Sequence, residues 1–306
     1  MKEIYTLADL KNWRKATKTV DPPIRLGVLG DPVEHSLSPK MQNAALRECK
    51  TEVQYASFHI RAEELADAME LIRSNDFIGV NVTVPHKVAA VEHLNHIDDS
   101  ARTIGAVNTI AVRDGKRIGF NTDGSGFARA IRTEFSVDLR DLRVLLLGAG
   151  GAGRAIAYQC ANENSERLVV VNRTFEKAKS LVTELAKHFA GPRVSGPVAR
   201  LQALPWDDPS LRFQIENSDL VVNATPLGLK HGDPAVLSQS LLAPHLMVYD
   251  TIYSPARTPL LHAAEEAGAR GANGLSMLLY QGAEAFEHWF EGRAPIDAMR
   301  KALLAS

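Results

Sequence analysis

Cysteine is scarce. The 306 residues hold two, Cys49 and Cys160, far apart and each inside a helical pattern. They suggest neither a disulfide framework nor a metal site, which points to a reducing, cytoplasmic setting. Charge bias is equally absent. A formal net charge of −1 leaves no electrostatic footprint for nucleic acid or an anionic membrane. Uninterrupted apolar runs fall short of the ~18 residues of a membrane span. The first ten residues, Met1 to Leu10, are too polar for a signal-peptide core. Internal repeats and low-complexity tracts are missing as well. What is present is ordinary for a soluble globular protein: 45% hydrophobic and 23% charged residues, over a length that accommodates two domains.

The strongest local signal is the stretch from Arg143 to Arg154. Val144 to Leu147 reads as a buried strand running into a glycine turn, and Arg154 to Cys160 continues as a helix. Gly148, Gly150 and Gly153 have G-x-G-x-x-G spacing, with Ala149, Gly151 and Ala152 between them. One glycine allows the tight turn, one lets a pyrophosphate approach the backbone, and one lets helix and strand pack closely. Phosphates would sit on free N–H groups at the helix N-terminus. A purely structural strand-to-helix turn is the alternative, but the strand–turn–helix context favours dinucleotide binding. The next strand, Arg167–Val171, ends in Asn172, Arg173 and Thr174, with Lys177 one turn later and no carboxylate before Glu176. A carboxylate there would favour NAD, whereas an arginine can hold the 2′-phosphate of NADP bidentately. NADP is therefore preferred over reading Arg173 as a solvated loop cation.

Around this centre the pattern is repeated βα. Residues 1–23 look like a short appendage, with Thr6 and Asp9 spaced as a capping box and Leu7, Leu10 and Trp13 on one face of a helix that is expected to pack on the body of the domain. A strand over Ile24–Leu29 leads to a polar loop and to a helix over Lys40–Cys49, with Ser38 as N-cap and Pro39 in the first turn. Ser36 and Ser38 are either a loop residue and a cap, or two hydroxyls forming a carboxylate site at a helix N-terminus. On these grounds alone the two readings balance. Further strands are expected over Val53–Ile60 and near Phe77–Val84, and helices over Ala62–Ser74 and Val88–Leu94. Asp114-Gly115 between Asn108–Arg113 and Lys116–Asn121 predicts a hairpin, and Asn121 to Gly126 reads as a second glycine-rich turn. After the cradle come a helix over Phe175–Phe189, a weak pattern over 191–210, strands over Asp219–Asn223 and Leu246–Asp250, and helices over Pro259–Gly268 and Leu275–Glu291. The alternation predicts a parallel, helix-covered sheet. Ligands of such sheets bind outside the carboxyl ends of strands.

Taken together, several ordered stretches resemble the shikimate dehydrogenase family: Gly30 to Pro39, Asn81 to Lys87, Gly105 to Thr109, Asn121 to Gly124, Gly148 to Gly153, Asn172 to Thr174, Asn223 to Gly228, Asp250 to Tyr253 and Gly274 to Gln281. The resemblance runs from about Leu26 to Trp289. It implies an α/β fold of two domains with a cleft between them: an N-terminal α/β substrate domain (1–122 plus 274–306) and a Rossmann-type NADP domain (123–273). The implied reaction is reversible NADPH-dependent reduction of 3-dehydroshikimate to shikimate. In this resemblance Ser36, Ser38 and Tyr253 hold the substrate carboxylate, and Thr83, Asn108 and Gln281 lie around the ring hydroxyls. Lys87 and Asp123 are the catalytic pair. Gly148 to Gly153, Asn172, Arg173, Thr174, Lys177, Thr225 and Gly274 serve the cofactor, and no metal is implied. Without the resemblance, Lys87 would read as a surface lysine and Asp123 as a turn cap.

Such a pair suits the chemistry. Oxidising a secondary alcohol requires hydride departure and loss of the hydroxyl proton. A lysine is ordinarily protonated at neutral pH, and burial and a nearby carboxylate act on an amine in opposite directions. The sequence leaves open which member takes the proton, so Lys87 and Asp123 count as one coupled unit. Lys177 stands where many NADP-using relatives carry a second arginine. The segment Ala269 to Asn273 is less apolar than a buried last strand should be. Rival readings are a quinate or dual quinate/shikimate dehydrogenase and, more remotely, a regulatory NADP-binding protein without turnover. The expected partner is a small-molecule substrate, not nucleic acid or membrane. Oligomeric state is not legible, a homodimer being one open arrangement.

Overall fold

The computed structural model describes residues 2–189 and 199–305. The chain divides into two compact units, Met1–Asp123 with Leu278–Ser306, and Gly124–Met277. The changes expected after 122 and 273 thus fall after Asp123 and Met277.

The first unit is built on seven strands: β1 (Ile4–Thr6), β2 (Ile24–Gly30), β3 (Gln54–His59), β4 (Gly79–Val82), β5 (His96–Ile97), β6 (Thr109–Arg113) and β7 (Lys116–Phe120), in the order β1-β3-β2-β4-β6-β7-β5. Strands β1 to β4 are mutually parallel, whereas β6 runs antiparallel to both β4 and β7. The predicted hairpin is β6–β7, with Arg113 opposite Lys116 and positive φ at Asp114 (49°) and Gly115 (70°). This turn twists in the sense the strands require. The helix Leu65–Ser74 buries Leu65, Ala68, Met69 and Ile72 into this unit's core.

Four expectations for this unit need correction. Residues 1–23 are more than an appendage with a packed helix: β1 pairs with β3 as the sheet's edge strand. Trp13 lies 5.3 Å, centroid to centroid, from both Tyr5 and Phe77, and Leu7, Leu10 and Trp13 belong to the core. Ser38 is not the N-cap; it is the first helical residue of Ser38–Glu48, capped by Leu37 with no side-chain bond. The helix expected over Val88–Leu94 is a tighter 3-10 segment, Ala89–His93, entered directly from the turn after Pro85. Finally, Asn121 to Gly126 is not a free glycine turn, because Asp123 opens a long helix, Asp123–Phe135. Its first glycine serves packing: a Cβ on Gly124 would come within 3.1 Å of the Ala155 carbonyl oxygen.

The described residues of the second unit form six strands, all parallel: β8 (Arg143–Leu147), β9 (Arg167–Asn172), β10 (Leu201–Pro205), β11 (Leu220–Asn223), β12 (Met247–Asp250) and β13 (Arg270–Asn273), ordered β10-β9-β8-β11-β12-β13. Taken in chain order within the unit this is 3-2-1-4-5-6, the doubly wound dinucleotide-binding topology. The central strands are continuous apolar runs, as parallel strands covered on both faces must be; Leu145 to Leu147, Leu168, Val170, Val171 and Leu220 to Val222 are wholly buried. The polar last strand explains itself by position. Strand β13 is an edge, pairing Arg270 to Asn273 with Met247 to Asp250 in register, and Arg270 and Gly271 are exposed. Part of the weak region 191–210 becomes β10, while 190–198 lie outside the described residues.

Candidate active site

The turn that carries Lys87 is fixed by its neighbours. Thr83 N–H donates to the Leu29 carbonyl at 2.9 Å and His86 N–H to the Thr83 carbonyl at 2.8 Å. The His86 ring is buried, with Nε2 2.7 Å from the Ile60 carbonyl oxygen. A carbonyl only accepts, so Nε2 carries the proton. Burial also pushes the pKa of this imidazole down, which keeps it neutral. On the other side the Lys87 carbonyl accepts from Val107 N–H at 2.8 Å. Lys87 Nζ then meets Asp123 Oδ2 at 2.5 Å, their side chains being 15% and 5% exposed.

Asp123 owes its place to the start of the helix Asp123–Phe135, where a carboxylate is electrostatically favoured. Its N–H donates to Asn121 Oδ1, and Asn121 Nδ2 donates to the Ala106 carbonyl. The second carboxylate oxygen, Oδ1, accepts from Asn108 Nδ2 at 2.9 Å. Gln281, on the helix Leu275–Phe290, places Oε1 3.2 Å from the same Asn108 nitrogen. Lys87, Asp123, Asn108 and Gln281, scattered over the sequence, therefore form one hydrogen-bonded cluster. Thr83 is half-buried just beyond β4. Ser36 and Ser38 follow β2, the parallel neighbour of β4, so all three stand at the same end of the sheet. Ser38 N–H donates to Ser36 Oγ at 3.3 Å. The loops touch: Asp31 N–H donates to the Val84 carbonyl, and a Cβ on Gly30 would lie 2.5 Å from Thr83 Cγ2.

In the second unit the three cradle glycines do three different jobs. Gly148 has φ +107°, and a Cβ there would lie 2.8 Å from the Ala224 carbonyl oxygen. Gly153 presses on the turn itself, its absent Cβ being 2.2 Å from the Gly148 oxygen. Gly150 is exposed and faces open space, with no heavy atom within 4 Å of an added Cβ. That free side, at the start of the helix Gly151–Asn162, is where a pyrophosphate would approach. The turn follows β8, and the loop it touches, Ala224 to Gly228, follows β11, so both lie at the switch point of the strand order.

The end of β9 borders the cradle. Asn172 Oδ1 accepts from Ala149 N–H at 3.1 Å and its Nδ2 donates to the Thr174 carbonyl, while Arg173, Thr174 and Lys177 are exposed. These groups fit a 2′-phosphorylated dinucleotide: open backbone for the pyrophosphate, and two cations with no competing carboxylate beside Arg173. Thr225 is tied to Asn223 Oδ1 through both N–H and Oγ1. Gly274 closes β13 with its Cβ position 2.0 Å from the Thr251 oxygen, so its glycine is demanded by packing. Tyr253 is half-buried in the loop after β12.

Some site-supporting residues escaped sequence reasoning. Asp250 is wholly buried and accepts from Asn223 Nδ2, Ile252 N–H and Thr258 Oγ1. It ties two strand-end loops together, and burial raises its pKa to about 6. Thr109 and Thr122 are also buried and hydrogen-bond Asn108 of the cluster, and buried Tyr55 reaches it through Asn81; by residue type alone they are ordinary strand or loop residues. Among the described residues no group of three His, Cys, Asp or Glu side chains is arranged to hold a metal, and no helix is long and apolar enough to cross a membrane.

An α/β chain with a doubly wound dinucleotide-binding sheet in one unit and a buried lysine–carboxylate pair in the other has the construction of a nicotinamide-dependent oxidoreductase. Comparison with known proteins narrows the class. Family profiles match residues 28–110 (shikimate dehydrogenase substrate binding domain), 129–195 (shikimate/quinate 5-dehydrogenase) and 274–304 (shikimate 5′-dehydrogenase C-terminal domain). The NADP+ shikimate dehydrogenase of Methanopyrus kandleri is 40% identical over 281 residues, covering 91% of this chain and 94% of that one. A solved shikimate 5-dehydrogenase from Thermus thermophilus, in complex with NADP(H) and shikimate, superposes with a TM-score of 0.79 at 35% identity, covering 92% and 99% of the two chains. A quinate dehydrogenase from Corynebacterium glutamicum in complex with NAD gives a TM-score of 0.80 at 27% identity, covering 93% and 99%. The chain belongs to the shikimate dehydrogenase family.

Proposed function

We propose that this chain catalyses the reversible NADPH-dependent reduction of 3-dehydroshikimate to shikimate. The unit built on β1–β7 with the last two helices binds the substrate, and the unit built on β8–β13 binds NADP. The observation that carries this reading is the part-buried Lys87–Asp123 pair, whose members come from the turn after β4 and the start of the helix Asp123–Phe135 and meet at 2.5 Å. NADP, when bound, exchanges hydride with the substrate; the residues of the chain handle the proton and hold the reactants. Both Asp123 oxygens already accept hydrogen bonds, from Lys87 and Asn108. Lys87, with three N–H donors, uses one on Asp123. In this reading Lys87 exchanges the proton with the reacting hydroxyl, and Asp123 holds the ammonium in place.

Asn108, Gln281 and Thr83 orient the ring hydroxyls, and Ser36, Ser38 and Tyr253 take the carboxylate. Gly148 to Gly153 cradle the pyrophosphate, with Asn172, Thr174, Thr225 and Gly274 lining the cofactor. Arg173 and Lys177 bind the 2′-phosphate, and they favour NADP over NAD. The partners are thus small molecules. An exposed, free Cys49 fits a reducing cytoplasm. The deciding assay follows nicotinamide absorbance with shikimate or quinate crossed with NADP or NAD. Turnover with shikimate and NADP is the expected result. Turnover only with quinate and NAD would overturn the substrate assignment, and no turnover with any pair would leave a regulatory NADP-binding protein.

A further inference from the structure

Behind the Lys87–Asp123 pair lies a chain of buried polar groups whose direction is set by two backbone atoms. Asn108 Oδ1 faces the N–H of Thr122 at 2.9 Å. A backbone N–H can only donate, so this atom is the carboxamide oxygen and Nδ2 points to Asp123. Asn81 Nδ2 faces the Asn108 carbonyl at 3.1 Å. A carbonyl can only accept, so Asn81 Oδ1 is turned toward Tyr55, whose hydroxyl must donate to it at 2.8 Å. Asn81 Nδ2 also donates to Thr109 Oγ1 at 3.1 Å, which leaves the Thr109 proton for Asn108 Oδ1 at 3.0 Å. Every donor thus points the same way: Tyr55 to Asn81, Asn81 to Thr109, Thr109 to Asn108, Asn108 to Asp123. Tyr55, Thr109 and Thr122 are 0% exposed, Asn108 2%, Asp123 4% and Asn81 7%, so water does not substitute readily for a missing member.

We infer that Thr109, backed by Asn81 and Tyr55, is a positioning residue for catalysis. Together with the Thr122 N–H, it holds the Asn108 carboxamide so that its N–H, not its oxygen, meets Asp123, and Asp123 in turn aims Lys87. A flipped Asn108 would set oxygen against carboxylate and release the pair. Thr109 touches none of the reacting atoms; its effect passes through Asn108. The inference rests on the proposed dehydrogenase reaction and adds the side chains that orient its catalytic pair.

The test compares Thr109→Val, which keeps the shape and removes the hydroxyl, with Thr109→Ser, which keeps the hydroxyl, and Tyr55→Phe, which removes only the first donor. With shikimate and NADP, Thr109→Val is expected to lower kcat five- to twenty-fold with less than a three-fold change in the KM for shikimate. The dissociation constant for NADP, read by fluorescence titration, stays within two-fold. Thr109→Ser returns kcat to within about two-fold of the parent, and Tyr55→Phe lowers it by a smaller factor than Thr109→Val. In an Asn108→Ala background, Thr109→Val adds no further loss. An unchanged kcat in folded Thr109→Val, an equal loss in Thr109→Ser, or a full additional loss in the Asn108→Ala background would overturn the inference. If Thr109→Val does not fold by its thermal transition, Tyr55→Phe decides, an unchanged kcat overturning the inference. A parent protein inactive on shikimate with NADP fails the reaction assignment itself, a separate outcome.

Discussion

The cofactor cradle and the catalytic cluster are made in opposite ways. The cradle is mostly backbone: its glycines matter for what they omit, and its residues are contiguous. The cluster is mostly side chain, assembled from Lys87, Asn108, Asp123 and Gln281, with four different segments contributing one group each. A backbone site is local, so its geometry is written in the spacing of a dozen residues. A side-chain site is a product of tertiary structure and has no short signature. The same contrast governs tolerance. A substitution in the cradle acts by filling space, whereas one in the cluster strands a partner in a buried, poorly solvated place.

That contrast can be broken by experiment, beginning with the largest effect. Lys87→Ala should lower kcat by about 10²-fold or more with a smaller change in KM, as for a general acid–base group. An unchanged kcat in single-turnover and steady-state assays would remove Lys87 from the chemistry. Arg173→Ala should raise the KM for NADP by about ten-fold or more, the cost of one charge-assisted phosphate contact, while leaving NAD use unchanged. Equal losses with both cofactors would show that Arg173 does not read the 2′-phosphate.

Gly150→Ala sharpens the cradle's side of the comparison, because the added methyl meets nothing in the protein. NADP affinity should fall roughly five- to ten-fold, about one hydrogen bond's worth, at unchanged thermal stability. A fall in stability with affinity intact would make this glycine structural, as Gly153 is. The smallest effect concerns Asp250, whose carboxyl is held near a pKa of about 6 by burial against an ordinary 3.8. The folded form binds the proton more tightly than the unfolded chain. The stabilisation is therefore full below pH ~4 and lost as pH rises through ~6, amounting to at most about 3 kcal/mol. Urea unfolding of Asp250→Asn should show that pH dependence flattened between those limits; an identical slope in parent and variant would count against it.

How much of this could be read from residues alone follows the same division. Gly148, Gly150 and Gly153 announced the turn between β8 and its helix by spacing, and the Asp114-Gly115 turn announced β6–β7, because both signals depend on local φ and ψ. Residue types also sufficed for choosing NADP, where the missing carboxylate after β9 carried the meaning. Ser38 was misplaced by one position, since Leu37 caps that helix without using a side chain. The helix opening at Asp123 was hidden by Gly124 and Gly126, which lower helix propensity, although Gly124 permits close packing. Strand β1 was hidden because three residues show no periodicity; its place depends on β3, fifty residues on, and on the Tyr5, Trp13, Phe58 and Phe77 rings. Lys87 and Asp123 stood out only through family resemblance. Thr109 lies in a stretch that carries the resemblance but was given no role, and Tyr55 carried no signal, because a hydroxyl in a strand looks the same whether it faces solvent or a buried amide.

The discontinuity of the first unit has a consequence for how the protein comes into being on the ribosome. Trp289 donates Nε1–H to the Ile110 carbonyl and fills the space above Gly79, and the helix Ile296–Leu304 packs on Ser38–Glu48. Both arrive only after the whole of Gly124–Met277 has been synthesised. Nascent domains ordinarily fold in the order they emerge, but here the first-made unit must wait for the last-made helices. Gln281 enters with them, so the Asn108 and Asp123 cluster is completed at the close of translation. The dinucleotide-binding sheet, continuous in sequence, carries no such requirement.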